Sequence, residues 1–261
     1  MKPNYKNWLP RGMVLFAVGA TALALLLFLL FRFTGLVSGP LKTVLCAIFL
    51  AGTVVGLIVS VWMGLMYRAF SYDGRRQLSR QIVEGVAAYV KLSEGGRGLD
   101  VGCGSAALTN ACAKRNPVAS FVGIDRWGWE YASFNKALCE SNARAEGVGN
   151  VSFQRGDAVK LDFPDESFDA VTSNYVYHNI PGDRQSYLLE TLRVLKKGGS
   201  FALHDIFSRA KYGDMDAFVQ KLRDMGYAEV RLIDTADGMF MTKAEAGWLL
   251  LSGSALLTGR K

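Results

Sequence analysis

Two long apolar stretches stand near the start of the chain, and neither contains a charged residue. They are residues 13–31 and 43–67, which are nineteen and twenty-five residues long. As helices, both are long enough to cross the roughly 30 Å hydrocarbon layer of a membrane. A secretory signal is the competing interpretation of the first stretch, but its apolar core is too long and a second stretch follows closely. The pattern therefore predicts a transmembrane helical hairpin in residues 1–67, broken at Gly39-Pro40.

After the hairpin the hydrophobic period changes twice. Leu78, Ile82 and Val86 recur at helical spacing, which predicts an amphipathic helix in a juxtamembrane linker, residues 68–92. From residue 93 onward, short apolar runs alternate with longer helical patterns. This alternation predicts an α/β domain over 93–261, a doubly wound, mostly parallel, Rossmann-like sheet of seven strands. The expected strands are 97–101, 120–125, 150–156, 168–174, 200–206, 229–234 and 254–258. Long helices are expected at 128–146, 181–195 and 214–225.

Charge is divided unevenly along the chain. Residues 1–92 carry ten Lys/Arg and two Asp/Glu, a net +8, whereas residues 93–261 carry twenty and twenty-one, a net −1. Cations flank the outer ends of the apolar pair, which predicts an integral protein of the cell membrane with both termini and the α/β domain in the cytoplasm. Anionic headgroups attract such charge, so we expect the lipid bilayer as a partner. A neutral α/β domain disfavours nucleic acid as a partner.

Small residues recur every four positions in the second stretch, at Gly52, Gly56, Ser60 and Gly64. They line one helix face and allow another helix to approach closely. Two partners are open: a second copy of the chain, giving a homodimer through this span, or the first span of the same chain. The second is favoured because the short connection keeps the two spans adjacent.

A glycine turn, Gly102-Cys103-Gly104, follows the strand at 97–101 and opens a helix of small residues. Such a turn lets backbone approach a ligand, and the helix start offers free N–H groups. The spacing also fits a relaxed dinucleotide fingerprint. However, Asp100 precedes the turn, where it would repel a pyrophosphate and suits an ammonium group better. Asp125 and Asp157 end the next two strands. Three acids at three strand ends suit an adenosine, its ribose and an amino-acid ammonium.

Five segments in order resemble the motifs of class I S-adenosylmethionine (SAM) methyltransferases, and the resemblance extends from about residue 97 to 261. The segments are Asp100–Gly104, Ile124-Asp125, Gly156-Asp157-Ala158, Phe168–Asn174 and Leu192–Gly199. Each motif is weak singly, but five at the family spacing are specific. One position departs from the family pattern, because Ala106 stands where a third glycine is common; alanine is small enough for cofactor binding to be retained.

The resemblance implies SAM as the cofactor, held by residues that follow the first four strands. These are Asp100, Gly102, Gly104, Asp125, Arg126, Asp157, Ala158 and Asn174. Residues after the first strand would hold the methionine end, those after the second the ribose, and those after the third the adenine. The asparagine after the fourth would lie near the methionine moiety or the reacting methyl. The alternative is that some of these side chains serve only as helix N-caps.

Three residues are candidates for catalytic roles. His178 and His204 follow or end the fourth and fifth strands, where a histidine can remove a proton from an acceptor. Methyl transfer to a good nucleophile mainly needs alignment, so packing roles for both histidines stay open. Tyr72 belongs to the segment before the first strand, which in the resembling family commonly covers the cofactor. Its alternative role is an anchor at the membrane interface. The four cysteines show no metal-ligand or disulfide spacing, and no metal is expected.

The acceptor must fit a small space, because few residues separate the fifth strand from the next helix. Aromatic residues would line an apolar pocket there, unless they belong to the core: Trp127, Trp129, Tyr131, Tyr175, Tyr177 and Phe207. Together with the anchor, they predict a membrane-anchored methyltransferase for a small, lipophilic or membrane-associated acceptor. Two alternatives are methylation of a membrane protein and a non-catalytic SAM-sensing module. An NAD-dependent oxidoreductase is disfavoured by Asp100.

Overall fold

The computed structural model describes residues 2–128 and 133–261, which fall into two compact units. One unit is residues 7–79 and holds the apolar hairpin. The other combines residues 80–261 with the short segment that ends at Lys6, ahead of the hairpin. The unit boundary therefore separates the first few residues from the helices that follow them in sequence.

The hairpin consists of α1 (Arg11–Phe33) and α2 (Gly39–Phe70). Pro10 precedes the first helix and Pro40 lies in the first turn of the second, where the missing N–H of proline costs no helical hydrogen bond. Both helices are long and apolar enough to cross a membrane, with mean hydropathies of 2.8 and 2.7. Only 6 % of each apolar window is buried, which is far less than in the core helix of a soluble domain.

The small-residue face of α2 lies against α1. A Cβ at Gly56 would come within 2.5 Å of the Thr21 hydroxyl, and the Ser60 hydroxyl lies 3.1 Å from the same group. At Gly52 a Cβ would reach Ala24 at 3.8 Å, whereas at Gly64 none of residues 2–128 and 133–261 comes within 4 Å of it. Glycine at 52 and 56 therefore allows the two helices to approach closely. A homodimer through the second span stays a prediction.

The amphipathic pattern of the linker forms α3 (Leu78–Ala87). Leu78, Ile82 and Val86 are fully buried along one face, as the spacing predicted. Gly85 leaves room for the ring of Phe240, which a Cβ at that position would strike. The helix thus packs against the segment that connects the last two strands.

Seven strands form one twisted sheet, which confirms the predicted fold. They are β1 (Arg97–Val101), β2 (Ser120–Asp125), β3 (Val151–Arg155), β4 (Phe168–Asn174), β5 (Leu195–Ile206), β6 (Ala228–Asp234) and β7 (Ser254–Arg260). Their order across the sheet is β3-β2-β1-β4-β5-β7-β6. The first five strands pair in parallel, and β7 is antiparallel to both of its neighbours. The carboxyl ends of β1, β2, β4 and β5 consequently lie on one edge.

The strands are connected by further helices. They are α4 (Ala107–Arg115), α5 (Lys136–Ala145), α6 (Arg184–Arg193), α7 (Arg209–Tyr212), α8 (Met215–Asp224) and α9 (Lys243–Trp248). Asn135, Asp183, Asp214 and Thr242 each accept a backbone N–H of the first turn. Because Asn135 caps α5, this helix begins later than the expected residue 128; residues 129–132 of that prediction lie outside the described residues.

Candidate active site

The glycine turn after β1 is held in a conformation that only small residues tolerate. Gly102 has φ +74°, and a Cβ there would collide with Val176. Gly104 has φ +55°, but nothing in the described part of the chain lies within 4 Å of the position its Cβ would take. The first glycine is therefore required by packing, whereas the second leaves an open cradle beside the backbone. Such an opening next to the backbone suits a closely bound ligand.

Asp125, at the end of β2, closes the other side of this turn. Its Oδ2 accepts the Gly104 N–H at 2.9 Å and its Oδ1 accepts the Trp127 N–H at 2.7 Å. The Trp127 indole N–H in turn donates to the Gly104 carbonyl at 3.0 Å. A carboxylate has about four acceptor positions, so two remain for a pair of hydroxyls such as those of a ribose.

Asp100 lies under the turn and is 1 % exposed. The hydroxyls of Thr109 and Thr172 donate to its two carboxyl oxygens, at 2.6 and 3.0 Å. Burial raises the pKa of Asp100 from 3.8 to about 7, against the lowering effect of the two threonines. The carboxyl is closed off from solvent, so its charge would act through space on a cation bound in the cradle. In a medium of low dielectric that attraction is strong.

The residues after β3 and β2 are more open. Asp157 is exposed, and its Oδ1 accepts the Val159 N–H at 2.9 Å in a local turn. Ala158 is half-buried against the core, and Arg126 is exposed. The Asp157 contact belongs to a turn that pairs Asp157 with Lys160 and does not cap a helix. The cofactor roles of these three residues stay predictions.

Asn174 and His204 form a pair at the ends of β4 and β5. The Nδ1 of His204 lies 2.8 Å from Asn174 Oδ1, and its Nε2 lies 2.9 Å from the Thr235 hydroxyl. The ring is 1 % exposed, and burial lowers the pKa of His204 from 6.5 to about 3. Both ring nitrogens thus have partners, which favours a role as a support for Asn174 over a role in taking a proton. The candidate role of His204 as a base stays a prediction.

His178 stands in a different environment. Its Nδ1 lies 2.5 Å from Asp205 Oδ1, at the end of β5. The Asp205 carboxylate is 1 % exposed and also accepts three backbone N–H groups, from Tyr177, His178 and Ile206. With Nδ1 donating to this fixed carboxylate, Nε2 is left as a proton acceptor. Sequence reasoning found His178 but missed Asp205, because four converging donors are visible only in three dimensions.

Tyr175 lies between the two histidines. Its ring centroid is 4.7 Å from that of His204 and 6.0 Å from that of His178. Its backbone has φ +56°, a left-handed conformation that a bulky residue rarely adopts and that often marks functional sites. The hydroxyl lies 2.8 Å from the Ser254 hydroxyl, and burial raises the pKa of Tyr175 above its usual range. Tyr175 is therefore uncharged, and its ring lines the site between the two histidines.

The site as described agrees with the family that the chain matches. A family model described as a methyltransferase domain matches residues 99–203, from β1 into β5. A demethylmenaquinone methyltransferase of Geobacillus kaustophilus is 31 % identical over 169 residues, which cover 64 % of this chain and 66 % of that protein. The chain carries a class I SAM-dependent methyltransferase domain. It is an enzyme domain, and its cofactor is SAM.

Two further comparisons define how far the likeness extends. A fatty-acid O-methyltransferase of Mycolicibacterium smegmatis is 31 % identical over 152 residues, 58 % of this chain and 51 % of that protein. The chain thus matches about half to two thirds of the length of these curated relatives. A solved structure of the [4+2]-cyclase SpnF has a TM-score of 0.53 and 23 % identity, covering 71 % of this chain and 82 % of that one. At that identity the likeness shows the fold of the methyltransferase domain alone.

The residues present fit SAM. The open space beside Gly104 would take the methionine end, with the charge of Asp100 beneath it, and the free acceptor positions of Asp125 would take the ribose. These fits are consistent with the roles that the resemblance implied. The individual contacts remain predictions for the methyltransferase domain.

The aromatic lining is smaller than the sequence predicted. Tyr177 is 1 % exposed, with its hydroxyl against Thr191, and Phe207 is 8 % exposed; both belong to the hydrophobic core. The core alternative therefore holds for these two. Trp127 and Tyr175 are half-buried at the strand ends, as expected. Trp129 and Tyr131 lie outside the described residues. Tyr72 is half-buried in the hairpin unit, and its lid role stays a prediction.

Proposed function

We propose that this protein is a membrane-anchored methyltransferase that transfers the methyl group of SAM to a small lipophilic acceptor. The observation that carries the proposal is a methyltransferase domain in the same chain as two apolar helices, only 6 % buried along their apolar windows. Exposed apolar helices of 23 and 32 residues are unfavourable in water and stable in lipid. A catalytic domain held at a bilayer meets acceptors that partition into it.

The relatives support an acceptor of this class. One is named for demethylmenaquinone and another for fatty acids, both lipophilic molecules. The cations beside the hairpin support a cytoplasmic location of the catalytic domain, because positive residues are retained on that side. SAM is available in the same compartment.

The residues of the site suggest how the reaction proceeds. When bound, SAM would supply an electrophilic methyl group on a sulfonium; the acceptor nucleophile would form a bond to the methyl carbon as the carbon–sulfur bond breaks, and S-adenosylhomocysteine would leave. His178 Nε2 would take the proton of an acceptor hydroxyl as the new bond forms. Asp205 would fix the ring and stabilise the imidazolium that results. An acceptor that needs such a base is a hydroxyl, or a carbon activated by one, rather than an amine that is already nucleophilic.

The test is radiolabelled methyl transfer from SAM with the full chain in detergent and a membrane extract as acceptor. Label recovered in the organic phase would support the proposal. Label in protein would favour methylation of a membrane protein. SAM binding with no transfer to either fraction would favour the sensing module, and absence of SAM binding would contradict all three.

Variants sharpen this experiment. His178→Ala and Asp205→Asn should each lower the transfer rate by about 100-fold, which is within the range for loss of general base catalysis. Their affinity for SAM should stay unchanged, because neither residue borders the glycine turn. Asn179→Ala, at an exposed neighbour, is the matched control and should keep full activity. If all three variants keep wild-type activity, His178 does not act as a base in the reaction.

A further inference from the structure

The residues ahead of the hairpin, which we call the N-terminal segment (residues 2–6), pack onto the methyltransferase domain. Tyr5 is 5 % exposed. Its hydroxyl accepts a hydrogen bond from the Asn110 side chain at 3.1 Å, and its carbonyl accepts one from the Ser105 hydroxyl at 2.8 Å. These partners are about a hundred residues away in sequence. The segment is therefore an integral part of the α/β unit, although the hairpin separates it from the rest.

Asn142 on α5 joins the segment to the same turn. Its side-chain amide donates to the Asn4 carbonyl at 3.1 Å and to the Ser105 carbonyl at 2.9 Å, and its oxygen accepts the Asn4 N–H at 2.7 Å. Asn142 is 1 % exposed, so these hydrogen bonds are protected from water. One buried amide thus connects residue 4 to the residue that follows the second glycine.

The position of Ser105 gives these contacts a consequence for the cofactor. It lies between Gly104, which borders the open cradle, and Ala106, which has φ +70°. A left-handed alanine costs roughly 1 kcal/mol and persists only where the surroundings hold it. The hydrogen bonds to Ser105 are part of that surrounding structure. A displacement of such a turn by even about 1 Å disturbs ligand alignment.

We propose that the N-terminal segment is a positioning element of the SAM site. Tyr5 and Asn142 hold Ser105, and through it they keep the Gly104 backbone and its cradle in the conformation that receives SAM. The inference rests on the proposed function only in taking SAM as the ligand. It adds that residues that precede the apolar hairpin in sequence set the affinity for the cofactor.

The test is SAM binding by calorimetry on the full chain in detergent. Ser105→Ala and Tyr5→Ala should each raise the Kd for SAM by about tenfold, as expected for the loss of buried hydrogen bonds. Ser105→Thr keeps the hydroxyl and should bind within about threefold of the wild type. Lys2→Ala, at an exposed residue of the same segment, is the control and should bind normally.

Tyr5→Phe is included in case Tyr5→Ala fails to fold, because it removes only the hydroxyl that accepts a hydrogen bond from Asn110. It should keep the unfolding midpoint and raise the Kd by about two- to threefold. Wild-type affinity in both alanine variants, or no rescue by threonine, would overturn the inference and leave the proposed function standing. A wild-type chain that does not bind SAM would instead overturn the cofactor assignment itself.

Discussion

Replacing Asp100 with asparagine should make the protein more stable and a worse binder of SAM. The carboxyl is 1 % exposed, and burial raises its pKa from 3.8 to about 7. The difference between these two pKa values is equivalent to about 4 kcal/mol of folding free energy. The pKa of Asp100 is higher in the folded than in the unfolded protein. The contribution of the protonated carboxyl to folding stability is therefore fully present below pH 3.8 and is lost as the pH rises through about 7.

Asparagine has nearly the same shape and never ionises. The hydroxyls of Thr109 and Thr172 can accept from its amide as well as donate to its oxygen, so the local hydrogen bonds can be kept. The variant should therefore resemble the wild type near pH 4.5 and exceed it by up to about 4 kcal/mol at pH 8. Its affinity for SAM should fall by about tenfold or more, because the charge beneath the cradle is gone.

The assay is urea unfolding of the full chain in detergent at the two pH values, followed by tryptophan fluorescence. Asp157→Asn removes one negative charge at an exposed site and is the matched control; its stability should differ little from the wild type at either pH. If Asp100→Asn is no more stable at pH 8, or if its advantage does not change with pH, the reasoning from burial is refuted.

The remaining predictions follow from contacts already described. Gly102→Ala should unfold the domain or cost more than 2 kcal/mol by urea denaturation, since its Cβ meets a side chain, whereas Gly104→Ala should fold but lose SAM binding because the Cβ enters the cradle. Burial lowers the pKa of His204 to about 3, so neutral His204 contributes stability that is lost as the pH drops below 6.5; acid unfolding curves of His204→Gln should lack this contribution when compared with the wild type. Gly56→Leu should separate the two hairpin helices and raise protease sensitivity in detergent, while Gly64→Leu should leave the hairpin intact. A change of oligomeric state in Gly64→Leu alone would instead support a dimer through that face of the second helix.

The fold could be predicted from sequence because periodicity determines it directly. The strand boundaries at Arg97–Val101 and Ser120–Asp125 match the apolar runs from which they were predicted. The start of α5 could not be placed, since the helical pattern extended through residues that precede the Asn135 cap.

The site could be predicted only in part. Motif order placed acids at strand ends, because parallel strands bring their carboxyl ends to one edge. It did not separate His178, whose second nitrogen has no hydrogen-bond partner among the described residues, from His204, whose two nitrogens both have one. Nor could it find the partners of Tyr5, since contacts across a hundred residues leave no local pattern.

The attachment of the N-terminal segment restricts how the chain can cross a membrane. Asn4 and Tyr5 precede α1 and are hydrogen-bonded to a domain that begins after α2. Two groups joined by hydrogen bonds lie on the same side of a bilayer, so the chain between them crosses it an even number of times. One crossing, or a cleaved first helix, would break these hydrogen bonds. If the proposed membrane anchor is correct, insertion of both helices would be required for the N-terminal segment to reach its contacts on the catalytic domain.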